Sequence, residues 1–97
     1  MNVIKEVKIK NRYYQIVKEE YENGNTALLL VKRSNPSDYR VLTINVSHPL
    51  PPSMVTIKDY SENAGTLAML LEQGIVNAPL YFEESGFVKN PVCILNS

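Results

Sequence analysis

The sequence predicts an α+β domain: an antiparallel β-meander of about five to six strands, covered on one face by a single helix over residues 64–73. Three observations carry this expectation. The first 46 residues divide into short alternating polar and apolar runs separated by turn residues, the period of half-buried strands. Only one later stretch places apolar residues at helical spacing between a recognisable start and stop. The chain has 97 residues, the length of a single domain (1–97), which buries a modest core but hardly a core and a deep cleft.

Taken in order, residues 3–10 alternate, with Val7 and Ile9 on one face and Lys8 and Lys10 on the other. Asn11-Arg12 reads as a two-residue turn because Asn tolerates positive φ. Residues 13–20 return as a strand rich in β formers, Tyr13, Tyr14, Ile16 and Val17. Asn23-Gly24-Asn25 is the strongest turn signal. Residues 27–32, ALLLVK, are apolar on both faces and belong centrally in a sheet. Asn35-Pro36-Ser37-Asp38 has turn chemistry. Residues 39–46 alternate again, with Leu42, Ile44 and Val46 inward and Thr43 and Asn45 outward. The run SHPLPPS (47–53) is extended, since its prolines fix φ and remove donors. It is expected to cross an edge or an end of the sheet. Residues 54–58 form a short strand leading to the helix.

The helix signals agree with one another. Ser61 and Asn63 are candidate N-caps, and Asp59 and Glu62 place negative charge at the positive end. Leu67, Leu70 and Leu71 make one apolar stripe, the expected cover for the sheet. Gly65 is costly inside a helix but tolerable in its first turn. Gly74 suits the left-handed position after the helix, with Ile75 folding back on Leu70 or Leu71. Residues 77–85 read as irregular or as a short edge strand. Residues 86–95 read as the last strand, with Pro91 demanding an edge position or a bulge.

Formal net charge is zero. Residues 1–40 hold eight Lys/Arg against five acids, and the remainder is correspondingly acidic. This mild dipole is too weak to name nucleic acid as the partner. No apolar run approaches the roughly 18 residues of a membrane span, and MNVIKEVKIK is not a signal peptide. A single cysteine, Cys93, allows no internal disulfide, so nothing argues for export and a cytoplasmic location is expected. The lone His48 has no ligand-type neighbour at metal spacing, and Cys93 in VCIL reads as a small buried hydrophobe. Asp59 and Glu62 serve the helix start, and Glu83-Glu84 a solvated loop. No nucleotide-binding, zinc-protease or nucleophile-elbow motif is present. The expectation is therefore a non-enzymatic protein with no catalytic residues, no metal and no cofactor.

The tyrosines hold more information, being six of the eight aromatic residues. Tyr13 and Tyr14 face opposite sides of one strand, so at least one leans toward the open face of the sheet, with Lys8, Lys10, Arg12, Lys32 and Arg40 on neighbouring strands and turns. Such a face could stack bases or anchor a protein. The first expectation is plainer than either, ordinary cross-strand Tyr–Lys pairs on a wet face. Ser85-Gly86-Phe87 offers a second anchor if Phe87 is exposed.

Several pieces carry a resemblance. They are Val7-Lys8-Ile9 with Tyr14, Asn23-Gly24 before Ala27-Leu28, Leu42-Thr43-Ile44-Asn45 and Pro49-Leu50-Pro51. The strongest are Asp59…Glu62-Asn63…Gly65…Leu70-Leu71…Gly74 and Ser85-Gly86-Phe87-Val88…Pro91. In this order and spacing the chain resembles a family of small single-domain proteins of unknown function carried by bacterial phages and other mobile elements. Residues 77–84 depart most from its pattern. The family supplies no catalytic residues. The resemblance implies a context, the contest between mobile element and host, in which small proteins inhibit host defence, anti-CRISPR proteins among them. Three functions are accordingly expected in turn: a module binding a host protein and occluding a defence nuclease, a single-stranded nucleic-acid-binding accessory protein, and a self-associating structural protein or homodimer.

Overall fold

The computed structural model describes residues 2–96. Its strands are β1 (Asn2–Ile9), β2 (Arg12–Glu20), β3 (Thr26–Lys32), β4 (Tyr39–Val41), β5 (Met54–Thr56), β6 (Tyr81–Ser85) and β7 (Val88–Ile94). A 3₁₀ turn, Ser61–Asn63, leads to the single α-helix, α1 (Thr66–Glu72). The α+β class holds, but the strands divide into two antiparallel sheets. The first is a meander in the order β1-β2-β3-β4, and the second has the order β5-β7-β6.

The first sheet follows the sequence closely. β3, apolar on both faces, lies between β2 and β4 as expected. The β1–β2 turn falls one residue earlier than Asn11-Arg12: Lys10 (φ 48°) and Asn11 (φ 65°) occupy its two positive-φ positions, so Arg12 already pairs with Ile9. This is the geometry of a tight hairpin whose twist matches that of its strands. A register shift between Val3 and Lys5 bends β1.

The strand expected over 39–46 is cut short. β4 ends at Val41, and the chain then turns to the second sheet through one antiparallel bridge, Thr43 to Ile57. Ile44 N–H donates to the Thr56 carbonyl at 3.0 Å and Lys58 N–H to the Leu42 carbonyl at 2.8 Å. Thr43, expected outward, is therefore buried, while Ile44 and Val46 are only half-buried.

In the second sheet β7 is central, which corrects the edge position expected for Pro91. The β5–β7 pairing ends at Thr56–Val92. Pro91 stands one step beyond, where its carbonyl still accepts from Ile57 N–H at 2.8 Å. The missing proline donor thus costs one bond at the end of a ladder rather than in its middle. β6 is an edge strand, the short edge strand expected within residues 77–85, and it carries Glu83 and Glu84 on a strand and not in a loop.

The helix is shorter than residues 64–73. Gly65, at φ 94°, precedes it as the N-cap rather than sitting in its first turn. Neither Ser61 nor Asn63 caps α1. Asp59 does so from eight residues upstream, its Oδ1 accepting from Leu67 N–H at 3.0 Å. The C-terminal end matches the sequence. Gly74 has φ 71°. Gly74 N–H donates to Leu71 and Ile75 N–H to Leu70, at 3.1 and 2.9 Å, the two bonds of a Schellman end. Lys5 Nζ donates to the Gln73 carbonyl, where a cation complements the helix dipole. Of the expected stripe, Leu70 is fully buried and Leu67 partly, but Leu71 is 38% exposed. Thr66 and Leu70 are the buried residues of α1.

The core lies between the two sheets and α1. Val7, Ile16, Leu28 and Leu42 come from the meander, Val55, Ile57 and Cys93 from the second sheet, and Leu70, Ile75 and Val76 from the helical segment. Across the other face of the meander runs a row paired strand to strand, Val3–Val17–Leu29–Val41.

The proline segment is held by the Asn23-Gly24-Asn25 turn. Buried Asn25 donates through Nδ2 to the His48 carbonyl at 3.0 Å and accepts from Leu50 N–H at 2.8 Å. Thr26 Oγ1 donates to the Pro52 carbonyl at 3.2 Å.

Candidate functional sites: a bare aromatic hairpin and a basic cleft

The structure separates the sequence-predicted residues into two groups. Ser85 and Phe87 belong to the β6–β7 hairpin. Gly86, at φ 63°, turns the chain sharply, and a side chain there would be strained. Phe87 follows it and is as exposed as an isolated residue, the most exposed large hydrophobic described. Leu80, Tyr81 and Phe82, which sequence reasoning passed over, are also exposed, at the end of β6 away from the turn. Tyr81 and Phe82 face opposite sides of this edge strand, which no further strand covers among the described residues. The available signal was the departure from polar alternation in PLYF.

Lys10, Tyr14 and Arg40 come together elsewhere. They line a cleft of ≈ 630 Å³ between the inner face of the meander and the start of α1, where Gly65 and Thr66 form the facing wall. Tyr14 is half-buried against the core. Lys10 projects from the tight turn. Arg40 donates through Nη1 to the Glu62 carbonyl at 3.0 Å. Arg12 and Lys32, which the sequence already places on neighbouring strands and turns, join them because β2 and β3 begin and end at this edge. The wall opposite the cations is held by Asn63, whose buried side chain donates to the Val41 carbonyl at 2.8 Å. Ser61 at φ 53° is a non-glycine residue in the left-handed region next to this wall, a conformation maintained only against a cost of order 1 kcal/mol or more.

Tyr13 lies on the opposite face, 51% exposed. The Lys8 ammonium and Arg33 guanidinium stand 5.6 and 5.7 Å from its ring centroid, and Arg33 pairs with Glu6 at 3.5 Å. The cross-strand Tyr–Lys pairing expected of an open face is present here. Tyr13 also lines a second hollow of ≈ 540 Å³, which shares Arg12 and Lys32 with the cleft.

His48 acquires a partner that no linear spacing announced. Its Nε2 lies 3.0 Å from Glu83 Oε1, and that hydrogen bond holds the imidazole pKa above its ordinary value. Cys93 is fully buried and free, and burial pushes its thiol up to about 11. Among the described residues no three His, Cys, Asp or Glu side chains gather at metal-binding distance. No described helix is long and apolar enough to cross a membrane. No protein-family model, no curated protein and no solved structure matches the chain.

Proposed function

We propose that the chain is a non-enzymatic protein-binding module that grips a host protein through the β6–β7 hairpin. A bacterial defence nuclease blocked by occlusion is the target class that the family resemblance suggests. Phe87 carries this reading. A phenylalanine exposes roughly 150–250 Å² of apolar surface, and folding removes none of it from water here. A rigid two-stranded support with glycine at the bend presents this ring with little ordering cost on binding. Phe82, Tyr81 and Leu80 expose further apolar surface at the other end of β6. Self-association through the same edge is disfavoured, because adjacent Glu83 and Glu84 would bring acids close together in an antiparallel pair.

The test is capture of tagged protein from nuclease-treated bacterial host lysate, with wild type and Phe87→Ser compared side by side. One dominant protein is expected to be retained by wild type. Its affinity for the variant should fall about thirtyfold or more, the loss typical of a central aromatic anchor. Recovery of nucleic acid alone, or of a protein held equally by both forms, refutes the reading.

A further inference from the structure

We infer that the cleft and the adjoining hollow form one track for a short single-stranded nucleic acid. This surface shares no lining residue with the β6–β7 hairpin and is independent of the protein-binding reading. The two concavities, ≈ 630 and ≈ 540 Å³, take in Tyr14 and Tyr13 from opposite faces of the meander and share Arg12 and Lys32 at its end. A ligand following both is extended and wraps that end of the sheet.

Charge is concentrated along this path. Five of the ten Lys/Arg residues line it (Lys10, Arg12, Lys32, Arg33 and Arg40), against Asp38 alone of the ten acids. A chain with zero net charge therefore carries a locally cationic groove. Arg33 is partly satisfied by Glu6, and Lys32 meets Asp38 only at 3.8 Å. Arg40 spends its bond on a neutral carbonyl. Lys10 and Arg12 have no ion pair among the described residues. Between these cations the cleft is lined by Tyr14, Leu30 and Met69, and Tyr13 lines the adjoining hollow. Cations with planar and apolar surface between them match a chain of phosphates joined to flat bases. An acidic peptide would use the cations but not the apolar lining.

Four available cations (Lys10, Arg12, Lys32 and Arg40) set the expected salt dependence. Each phosphate neutralised on a single strand contributes about −0.7 to the slope of log K against log salt. Four contacts give about −2.8, a loss of about fiftyfold between about 50 and 200 mM salt. The test is fluorescence anisotropy with a labelled oligothymidylate of about twelve nucleotides, on wild type and on the double substitution Lys10→Asn/Arg12→Gln. Asn tolerates the positive φ of position 10, so the hairpin is retained, as circular dichroism would verify. The double variant should bind more weakly and lose only about sevenfold over the same salt range, while Phe87→Ser binds like wild type. The inference is overturned by absence of binding at about 50 mM salt or by an unchanged slope in the double variant. Displacement of the oligonucleotide by polyglutamate as readily as by unlabelled oligonucleotide overturns it equally.

Discussion

Replacing Asn63 by Ala should destabilise the domain by about 2–3 kcal/mol, more than any exposed cap residue would. Asn63 is 1% exposed, and its Nδ2 donates to the Val41 carbonyl at 2.8 Å. Alanine removes that donor from a part-buried carbonyl, which costs about 1 kcal/mol, the low end of the range for a polar group left unpaired. The space left by the amide adds a cavity cost at the lower end of the range for buried truncations. For a domain of this size each kcal/mol moves Tm by about 4–8 °C, so a fall of roughly 10–20 °C is expected. Thermal and urea unfolding followed by circular dichroism give the value.

Asn63→Asp sharpens the test. At neutral pH it sets a carboxylate against a carbonyl, so its folded-state pKa is raised. The folded state then binds more protons than the unfolded state, and the variant gains stability as pH falls. Wild type and Asn63→Ala lack that gain. A loss below about 0.5 kcal/mol for Asn63→Ala, within the range of ordinary surface substitutions, refutes the burial argument. An Asn63→Asp variant as stable as wild type at neutral pH refutes the hydrogen bond.

Two further outcomes follow from the buried thiol and the histidine pair. Cys93, with its thiol pushed up to about 11, should be inert to a thiol reagent at neutral pH and react fully once the chain is unfolded; rapid native labelling would contradict its burial. By NMR titration, His48 should have a pKa above 6.5 because it is bonded to Glu83, and Glu83→Gln should bring it back toward 6.5. The sign of the linked stability follows from the raised value. With Glu83 ionised, the contribution is fully present below the unfolded-state pKa and is lost as pH rises through the folded one. A pKa unmoved by Glu83→Gln would remove the pair as its cause.

Features encoded within a few residues were legible in the sequence. The Gly74–Ile75 end of α1, the central position of β3 and the turn at Asn23-Gly24-Asn25 all depend on local chemistry, and all are present. What escaped depends on distant partners. The division into two sheets turns on the Thr43–Ile57 bridge, which no period reveals, since 39–46 alternates as well as any strand. Pro91 read as an edge residue because its missing donor was assumed to matter; it lies where the ladder with β5 has already ended. Leu71 has the spacing of the helix stripe, but α1 starts at Thr66 and turns Thr66 and Leu70 to the core instead. For the sites, Phe87 and the Lys10–Arg40 group were visible as residue types. Their separation into a hairpin and a cleft, and the closing of that cleft by Gly65 and Thr66, required the fold.

The placement of β7 bears on how the chain acquires its structure during synthesis. β1, β2, β3 and β4 each pair with a neighbour in sequence, so the meander can assemble as its hairpins leave the ribosome. β5 has no strand neighbour in sequence, only the Thr43–Ile57 bridge at its end. Its strand partners run from Val92 to Ile94, so Met54 and Val55 lack that pairing until those residues emerge. A nascent chain stalled before Pro91 would display a finished meander with β5 unpaired on its other side, an open strand edge of the kind that chaperones capture.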